Sequence, residues 1–551
     1  MKRVTVFALL LVGSALGADP PRLGPPLRVD RDNCDIAKPG EQQVSEMYSI
    51  LYNSWLRHAS PENAALASRD KGALNVNAWD DVPDSSWFTN RMGHRSLSFE
   101  DILTGLEGTA PQDGAWVVER NVEEGYTPKF RIKDAAGKRY WVKFDLREAP
   151  ERNSAAERIS TLVLFACGYN VPFNAITRFR GESLSVTAES RFVDAVGKQR
   201  PMTAEDLRAA MEKLKPQPDG LYRGLASYLL ANYLGKFKYD GTRRDDPNDI
   251  IPHERRRELR GLRVIASWIN HADTGDKNTA DAFVPTNGDK GYIKHHLLDF
   301  GSTMGSGNYT NGPYRVGHEH LFDGAAMGRT LITLGAWRRP WEAAGRIQFE
   351  EVGYFDAELF RPEKWRPNYP NLAFVRLDDG DAYWGARIVT AFTDETIGKL
   401  AEAGEYSRPE VTQYVAETLK RRRDIIARYW LNRVSPLEEF ALEGDQLRFR
   451  DLAVERGYVE AASRKYSCKV EDWAGRKSSE AAVLPGTGCQ VPLALLGDAA
   501  RDKYGRMIMA RVTIRSNRAD TGWAAPVEVM LGRANDGSGI SALGWRHARR
   551  E

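Results

Sequence analysis

The sequence carries no excess of one charge: 78 Lys and Arg stand against 75 Asp and Glu, a formal net charge of +3 over 551 residues. Such a balance leaves no electrostatic footprint for nucleic acid or an anionic membrane surface, and no nucleic-acid partner is expected. Beyond the N-terminus no apolar run approaches the roughly 20 residues that a bilayer crossing needs. Cysteine is scarce, with 4 in all, and neither these nor the 9 histidines have the spacing of a zinc site. The carboxylate-rich stretch from Asp240 to Asp249 lacks the D-x-[DN]-x-[DN]-G spacing and the closing Glu of a calcium loop, which leaves a solvated loop. At 42% hydrophobic and 28% charged residues the chain is neither disordered nor fibrous, and its length suits two or three globular domains.

What is present begins with Lys2 and Arg3 ahead of the apolar run Val4 to Val12, followed by the small residues Ala15 and Gly17. This is the pattern of a cleaved secretory signal, residues 1–17, so an extracytoplasmic protein, periplasmic or secreted, with no integral membrane segment after cleavage is expected. Cys468 and Cys489 then form the expected disulfide pair, and Cys167, inside the apolar stretch Thr161–Cys167, is expected as a buried free thiol. Residues 18–110 read as an extension with a Pro-rich lead-in and a helix spaced on Val44, Met47, Leu51 and Trp55. Its loop Asp80–Arg91 is expected to pack Trp87 and Phe88 against the main domain.

Short β-rich runs follow at Trp116–Glu119, Lys129–Ile132 and Tyr140–Phe144, the last two joined by the turn Asp134–Lys138. Further strands are expected at Asn174–Phe179, Leu184–Phe192 and Leu225–Phe237, with a helix over Thr203–Lys213. Lys143 lies on the third strand in V-K-F. Glu157 lies one turn into the helix that starts near Asn153 and ends at Gly168. The turn Asn121–Thr127 holds a single glycine, Gly125. A helix over His253–Asn270 places Leu259, Leu262, Ile265 and Trp268 on one side and an arginine-rich face, expected to be solvated, on the other. That helix delivers His271-Ala272-Asp273-Thr274-Gly275-Asp276-Lys277-Asn278, and an apolar strand then delivers Asp299-Phe300-Gly301. A carboxylate that takes a proton from an attacking hydroxyl, a carboxamide a short loop away and a second carboxylate are the parts that phosphoryl transfer requires.

These motifs, V-K-F at Lys143, A-A-E-R at Glu157, H-A-D-T-G-D-K-N and L-D-F-G, resemble the kinase-like superfamily over about residues 110–435. The similarity leans to its atypical HipA-like, lipid-kinase-like and spore-coat CotH-like branches. The resemblance implies an α+β fold: a bilobal protein-kinase-like domain over 111–435, with an N-lobe over 111–240 and a C-lobe over 241–435. It implies Lys143 and Glu157 as the nucleotide-phosphate-binding pair, Asp273 as catalytic base, Asn278 and Asp299 as metal ligands, and ATP and Mg²⁺ as cofactors. Gly275 stands where protein kinases carry a lysine, with Lys277 nearby as a substitute, and no A-P-E follows D-F-G. The stretch Gly301–Asn308 is expected to be a flexible loop.

Helices are expected over Leu321–Trp341 and Asp394–Trp430. After Pro436 short strands at Gln446–Arg450, Lys465–Val470, Met507–Ile514 and Val527–Met530 suggest a small all-β, sandwich-like domain over 436–551. Two functions stand open: ATP- and Mg-dependent phosphotransfer to an unknown protein or small-molecule acceptor, or a catalytically silent kinase-fold protein that binds a surface or partner through its C-terminal β domain. The expected compartment is poor in ATP, which weighs against turnover.

Overall fold

The computed structural model describes residues 32–56, 72–122, 129–194, 196–307, 313–502, 505–520, 522–533 and 539–547. The expected secretory signal, most of the Pro-rich lead-in, the residues 123–128 that contain Gly125, and Asn308 lie outside them. The described chain is a mixed α+β structure with several sheets.

An antiparallel meander opens the first sheet: β2 (Trp116–Val122), β3 (Lys129–Lys133) and β4 (Arg139–Phe144), after the two-residue strand β1 (Ile36–Ala37). The β3–β4 turn closes as its residues dictate, with Asp134 N–H donating to Lys138 O at 2.9 Å and Lys138 N–H returning to the Asp134 carboxylate at 2.8 Å. The sheet grows to eight strands with β5 (Asn174–Phe179), β6 (Leu184–Ser185), β7 (Arg191–Val193), β8 (Gln199–Pro201) and β9 (Tyr222–Tyr228), in the order β5-β9-β4-β3-β2-β7-β8 with β6 on β2. One face buries Phe130, Ile132, Tyr140, Val142, Phe144 and Phe179. On β4 the period of two places Tyr140, Val142 and Phe144 in that core, so Lys143 must point to the opposite face.

Two expected strands are shorter than their apolar runs suggest. Leu184–Phe192 splits into β6 and β7, and Leu225–Phe237 ends at Tyr228. Beyond it Asn232 and Gly235 adopt positive φ, 52° and 95°, and a Cβ on Gly235 would sit 2.1 Å from Gln42 O. Only glycine lets these two stretches of backbone meet there.

The helix expected over His253–Asn270 is a 3-10 turn, His253–Arg255, followed by an α-helix, Arg257–Trp268. Its arginine-rich face is not solvated. Arg256, Arg257 and Arg260 are buried because carboxylates meet them: Asp249 from the preceding loop beside Arg256, and from distant segments Asp80 and Asp381 beside Arg257 and Asp381 beside Arg260. The pattern of charge on a helix cannot distinguish water from buried acids supplied by other segments. The helix expected over Leu321–Trp341 is confined to Gly324–Ile332, closed by Leu334 and Gly335 at positive φ, 49° and 83°. Asp394–Trp430 breaks into Asp394–Glu402 and Pro409–Trp430, with Glu405 at φ 49° and Pro409 opening the second helix.

The helices Arg152–Cys167, Arg257–Trp268, Asp394–Glu402 and Pro409–Trp430 share one large apolar core, to which the loop Asp80–Arg91 contributes Val82, Trp87 and Phe88 as expected. A three-stranded sheet, β1-β11-β10, is formed by β10 (Thr279–Asn287) and β11 (Lys290–Leu297) with β1. From Leu437 onward, a four-stranded sheet and a six-stranded sheet share a separate apolar core that includes Leu447, Val470, Val512, Val529 and Trp545. The disulfide Cys468–Cys489 joins those two sheets, while Cys167 is a buried free thiol. Among the described residues no helix is long and apolar enough to cross a membrane.

Candidate active site

The β4 strand presents Lys143 to α1 (Arg152–Cys167), which carries Glu157. The start of this helix is anchored by the strand that precedes it. The Asp145 carboxylate accepts from Asn153 N–H at 2.7 Å, Ser154 N–H at 2.8 Å and Ser154 Oγ–H at 2.5 Å. An acid two residues after the lysine therefore caps the helix that bears the glutamate and fixes their relative position. Sequence reasoning missed Asp145; the available signal was an Asp at the end of a strand with a helical pattern some seven residues on.

Lys143 Nζ donates to Glu157 Oε1 at 2.9 Å and to Asp299 Oδ1 at 2.8 Å. Three segments thus converge on one ammonium. Glu157 does not pair with Arg158, whose guanidinium donates to Asn174 O. Burial disfavours the charged amine, but Asp299 and Glu157 outweigh it and raise the Lys143 pKa, so the lysine is a cation at any working pH. Burial raises the Glu157 carboxyl, partly offset by Lys143. Asp299 is held below the usual carboxylate range, chiefly by Lys143 against the opposing effect of burial, with Lys129 and Lys277 contributing. Lys129, directly across from Lys143 on β3, is a second missed residue. The Asp299 side chain is 56% exposed, against 3% for Glu157, so the cluster opens towards solvent at the aspartate.

Asp299 sits at φ 58°, a region a non-glycine residue seldom adopts. Such backbone strain persists where surroundings impose it. Here Phe300 is buried, Asn153 Nδ2 donates to Gly301 O at 2.8 Å, and Ser306 Oγ donates to the same oxygen at 2.6 Å. A Cβ on Gly301 would stand 3.1 Å from Glu157 Oε2, which is why this turn needs a small residue. The stretch 301–307 is not the loose loop expected: Thr303, Met304 and Ser306 are buried, and Thr303 Oγ1 meets Ser160 Oγ at 2.6 Å. Its small and hydroxylated residues signal flexibility in isolation, yet here the Thr303 hydroxyl bonds to α1 and the Ser306 hydroxyl closes the turn on Gly301 O and Thr303 O.

Asp273 and Asn278 also meet. Asn278 Nδ2 donates to Asp273 O at 2.7 Å and to Asp273 Oδ2 at 3.1 Å, and Lys277 Nζ stands 3.1 Å from Asp273 Oδ1. Leu298 N–H donates to Asn278 O at 2.9 Å, and the Phe300 ring packs edge-on against His271, centroids 5.6 Å apart. These contacts bind the two loops together. Burial lowers the His271 pKa to about 4 despite nearby Asp273 and Asp299, so the ring is neutral and serves as packing.

Among the described residues no group of three His, Cys, Asp or Glu side chains is arranged to hold a metal. A magnesium ion does not require one. It is held by one or two protein oxygens together with water and phosphate oxygens. With its nitrogen committed to Asp273, Asn278 keeps Oδ1 as its remaining acceptor, and exposed Asp299 supplies a carboxylate, so the donor set suits that ion. A cavity of about 1130 Å³ lies elsewhere, beside Asn270, His318, Glu319 and Trp365, and none of the five expected site residues lines it.

No family model and no curated protein matches the chain. Two solved structures are similar to parts of it. The Helicobacter pylori proinflammatory kinase CtkA is 11% identical, with 57% of this chain and 92% of that chain covered and a TM-score of 0.27. The golgi casein kinase is 10% identical, with 75% and 97% covered and a TM-score of 0.28. Likenesses of that size fix neither a branch nor a chemistry for this chain.

Proposed function

We propose that the protein is an extracytoplasmic, atypical kinase-like phosphotransferase that uses ATP and Mg²⁺. The observation that carries this reading is the convergence of Lys143, Glu157 and Asp299 from three separate segments, with Asp299 left open to solvent. A purely structural ion pair has no need of an exposed third member held on strained backbone. Lys143, fixed by Glu157, would hold the α- and β-phosphate oxygens, and Asp299 with Asn278 Oδ1 would hold the metal. Bound Mg²⁺ supplies charge neutralisation at the phosphates. Asp273, oriented by Asn278 and Lys277, would accept the proton of the acceptor hydroxyl. Lys277 is the cation that the sequence otherwise lacks at Gly275.

The test is transfer of labelled phosphate from ATP by the mature protein, to itself, to added acceptors or to water. Asp273→Ala is expected to lower turnover by about 10²- to 10⁴-fold, the usual reach of general-base catalysis, with nucleotide binding kept. Binding without turnover in the unmodified protein would favour the silent partner-binding reading. Unchanged turnover in the variant would remove Asp273 as the base.

A further inference from the structure

The first described helix, Glu46–Leu51, continues as a π-helical turn over Tyr52–Leu56 and lies against the 3-10 turn Asp276–Asn278. Its polarity is inverted. The stripe Met47, Leu51 and Trp55 is exposed, whereas Ser49 and Asn53 on the other side are buried. Buried polar side chains normally find hydrogen-bond partners, since leaving them unpaired forfeits their hydration.

Four side chains around one small cavity do not. The cavity, about 30 Å³, is lined by Ser49 and Asn53 from the helix, by Asp273–Lys277 and by Asn371. Ser49 Oγ, Asn53 Oδ1, Thr274 Oγ1 and Asp276 Oδ2 have no hydrogen-bond partner, although each residue is more than nine-tenths buried. Asp276 Oδ1, by contrast, accepts from Tyr239 N–H at 3.0 Å, so one carboxylate oxygen is used and the other is left to the cavity. The Ser49 hydroxyl lies near enough to the Asp276 carboxylate to moderate the upward shift that burial imposes on it.

All four atoms are oxygens. The carboxylate and carboxamide oxygens only accept, and the two hydroxyls can each turn a lone pair inward. The space holds one small species. A single carboxylate among three neutral oxygens suits one positive charge better than two, because a calcium site takes six to eight oxygens and usually several carboxylates. We propose that this cavity binds a monovalent cation, K⁺ or Na⁺, which ties the N-terminal helix to the back of the loop that carries Asp273 and Asn278. The site does not depend on the phosphotransferase reading, since none of its four oxygens belongs to the nucleotide-facing cluster.

Thermal unfolding of the full chain, measured in KCl, NaCl and choline chloride at one ionic strength, tests it. Midpoints several degrees higher in KCl or NaCl than in choline chloride are expected, with the difference lost in Asp276→Asn. Equal midpoints in all three salts would overturn the proposal and leave a water in the cavity. Should Asp276→Asn fail to fold, Thr274→Val provides the second variant, expected to raise the half-saturating salt concentration about tenfold; an unchanged concentration counts against the site. Thallium(I) introduced into crystals should give an anomalous peak among Ser49, Asn53, Thr274 and Asp276, and a crystal showing water alone there would contradict it.

Discussion

Two clusters of acids and bases tie distant segments of this molecule together, and they differ in what they leave unpaired. Around Asp80 and Asp81 every carboxylate oxygen of the two aspartates is spent. Arg387 Nη2 meets both oxygens of Asp81 at 2.8 Å, joined by His94 and the Trp384 indole. Arg257 and His547 close on Asp80, and Glu438 receives Arg387 and the Tyr383 hydroxyl. All of these groups are buried. This clamp joins the N-terminal loop, two helices and the C-terminal strands. Around Lys143 the same chemistry is half open, with a buried glutamate behind and an exposed aspartate in front. Buried carboxylates whose oxygens are all taken can only hold structure, whereas one with free lone pairs facing solvent can take a ligand.

The contrast breaks most severely if the clamp is emptied. Asp81→Ala leaves Arg387 buried beside fewer carboxylates, and a loss of about 3–5 kcal/mol in chemical denaturation is expected, as for other broken buried pairs. A loss below about 1 kcal/mol would mean that the clamp is not what joins these segments. Acid acts on the same residues. Burial opposes ionisation of Asp80 and Asp81, but Arg257 with His547 and Arg387 with His94 overcome it and hold both pKa values below the ordinary 3.8. Their stabilisation is complete above about pH 4 and lost as the pH falls towards the folded values, because the unfolded chain takes up protons first. Burial depresses His271 to about 4 and His296 to about 3, which takes stability away as the pH falls below about 6.5, whereas burial raises Asp381 to about 7 and works in the opposite sense down to about pH 4; below that pH the losses are unopposed. The slope is up to about 1.4 kcal/mol per pH unit for each proton taken up, read from unfolding midpoints across that range. A flat profile between pH 4 and 2 would contradict these assignments. The open cluster should be gentler. Glu157→Gln leaves Lys143 its contact with Asp299, so a stability change of about 1 kcal/mol or less is expected, together with roughly tenfold weaker nucleotide binding by calorimetry. Equal affinity would place the lysine's anchor elsewhere.

The open cluster was legible in the sequence because its members sit in short motifs with fixed spacing: Lys143 on an alternating strand, Glu157 in the next helix, Asp299 before Phe300-Gly301. The order of strands around Lys143 and the Cys468–Cys489 bond were legible for similar local reasons. The clamp was not. Asp80 and Asp81 look like any polar loop, and apart from His94 their charged partners lie about 180 to 470 positions away in sequence, so little local marks them. The arginines of the helix Arg257–Trp268 were misjudged for the same reason, since their burial depends on acids from other segments. Met47, Leu51 and Trp55 have the spacing of a packed helical face, yet they lie outward among the described residues because the opposite, polar side meets the loop that carries Asp273 and Asn278.

Calorimetric titration of ATP into the mature protein with and without Mg²⁺, run in parallel on Asp299→Ala, tests the central claim most directly. Saturable binding that strengthens at least tenfold with Mg²⁺, and loses that metal dependence in Asp299→Ala, is the expected result. No binding, or the same Mg²⁺ dependence in both proteins, would contradict it.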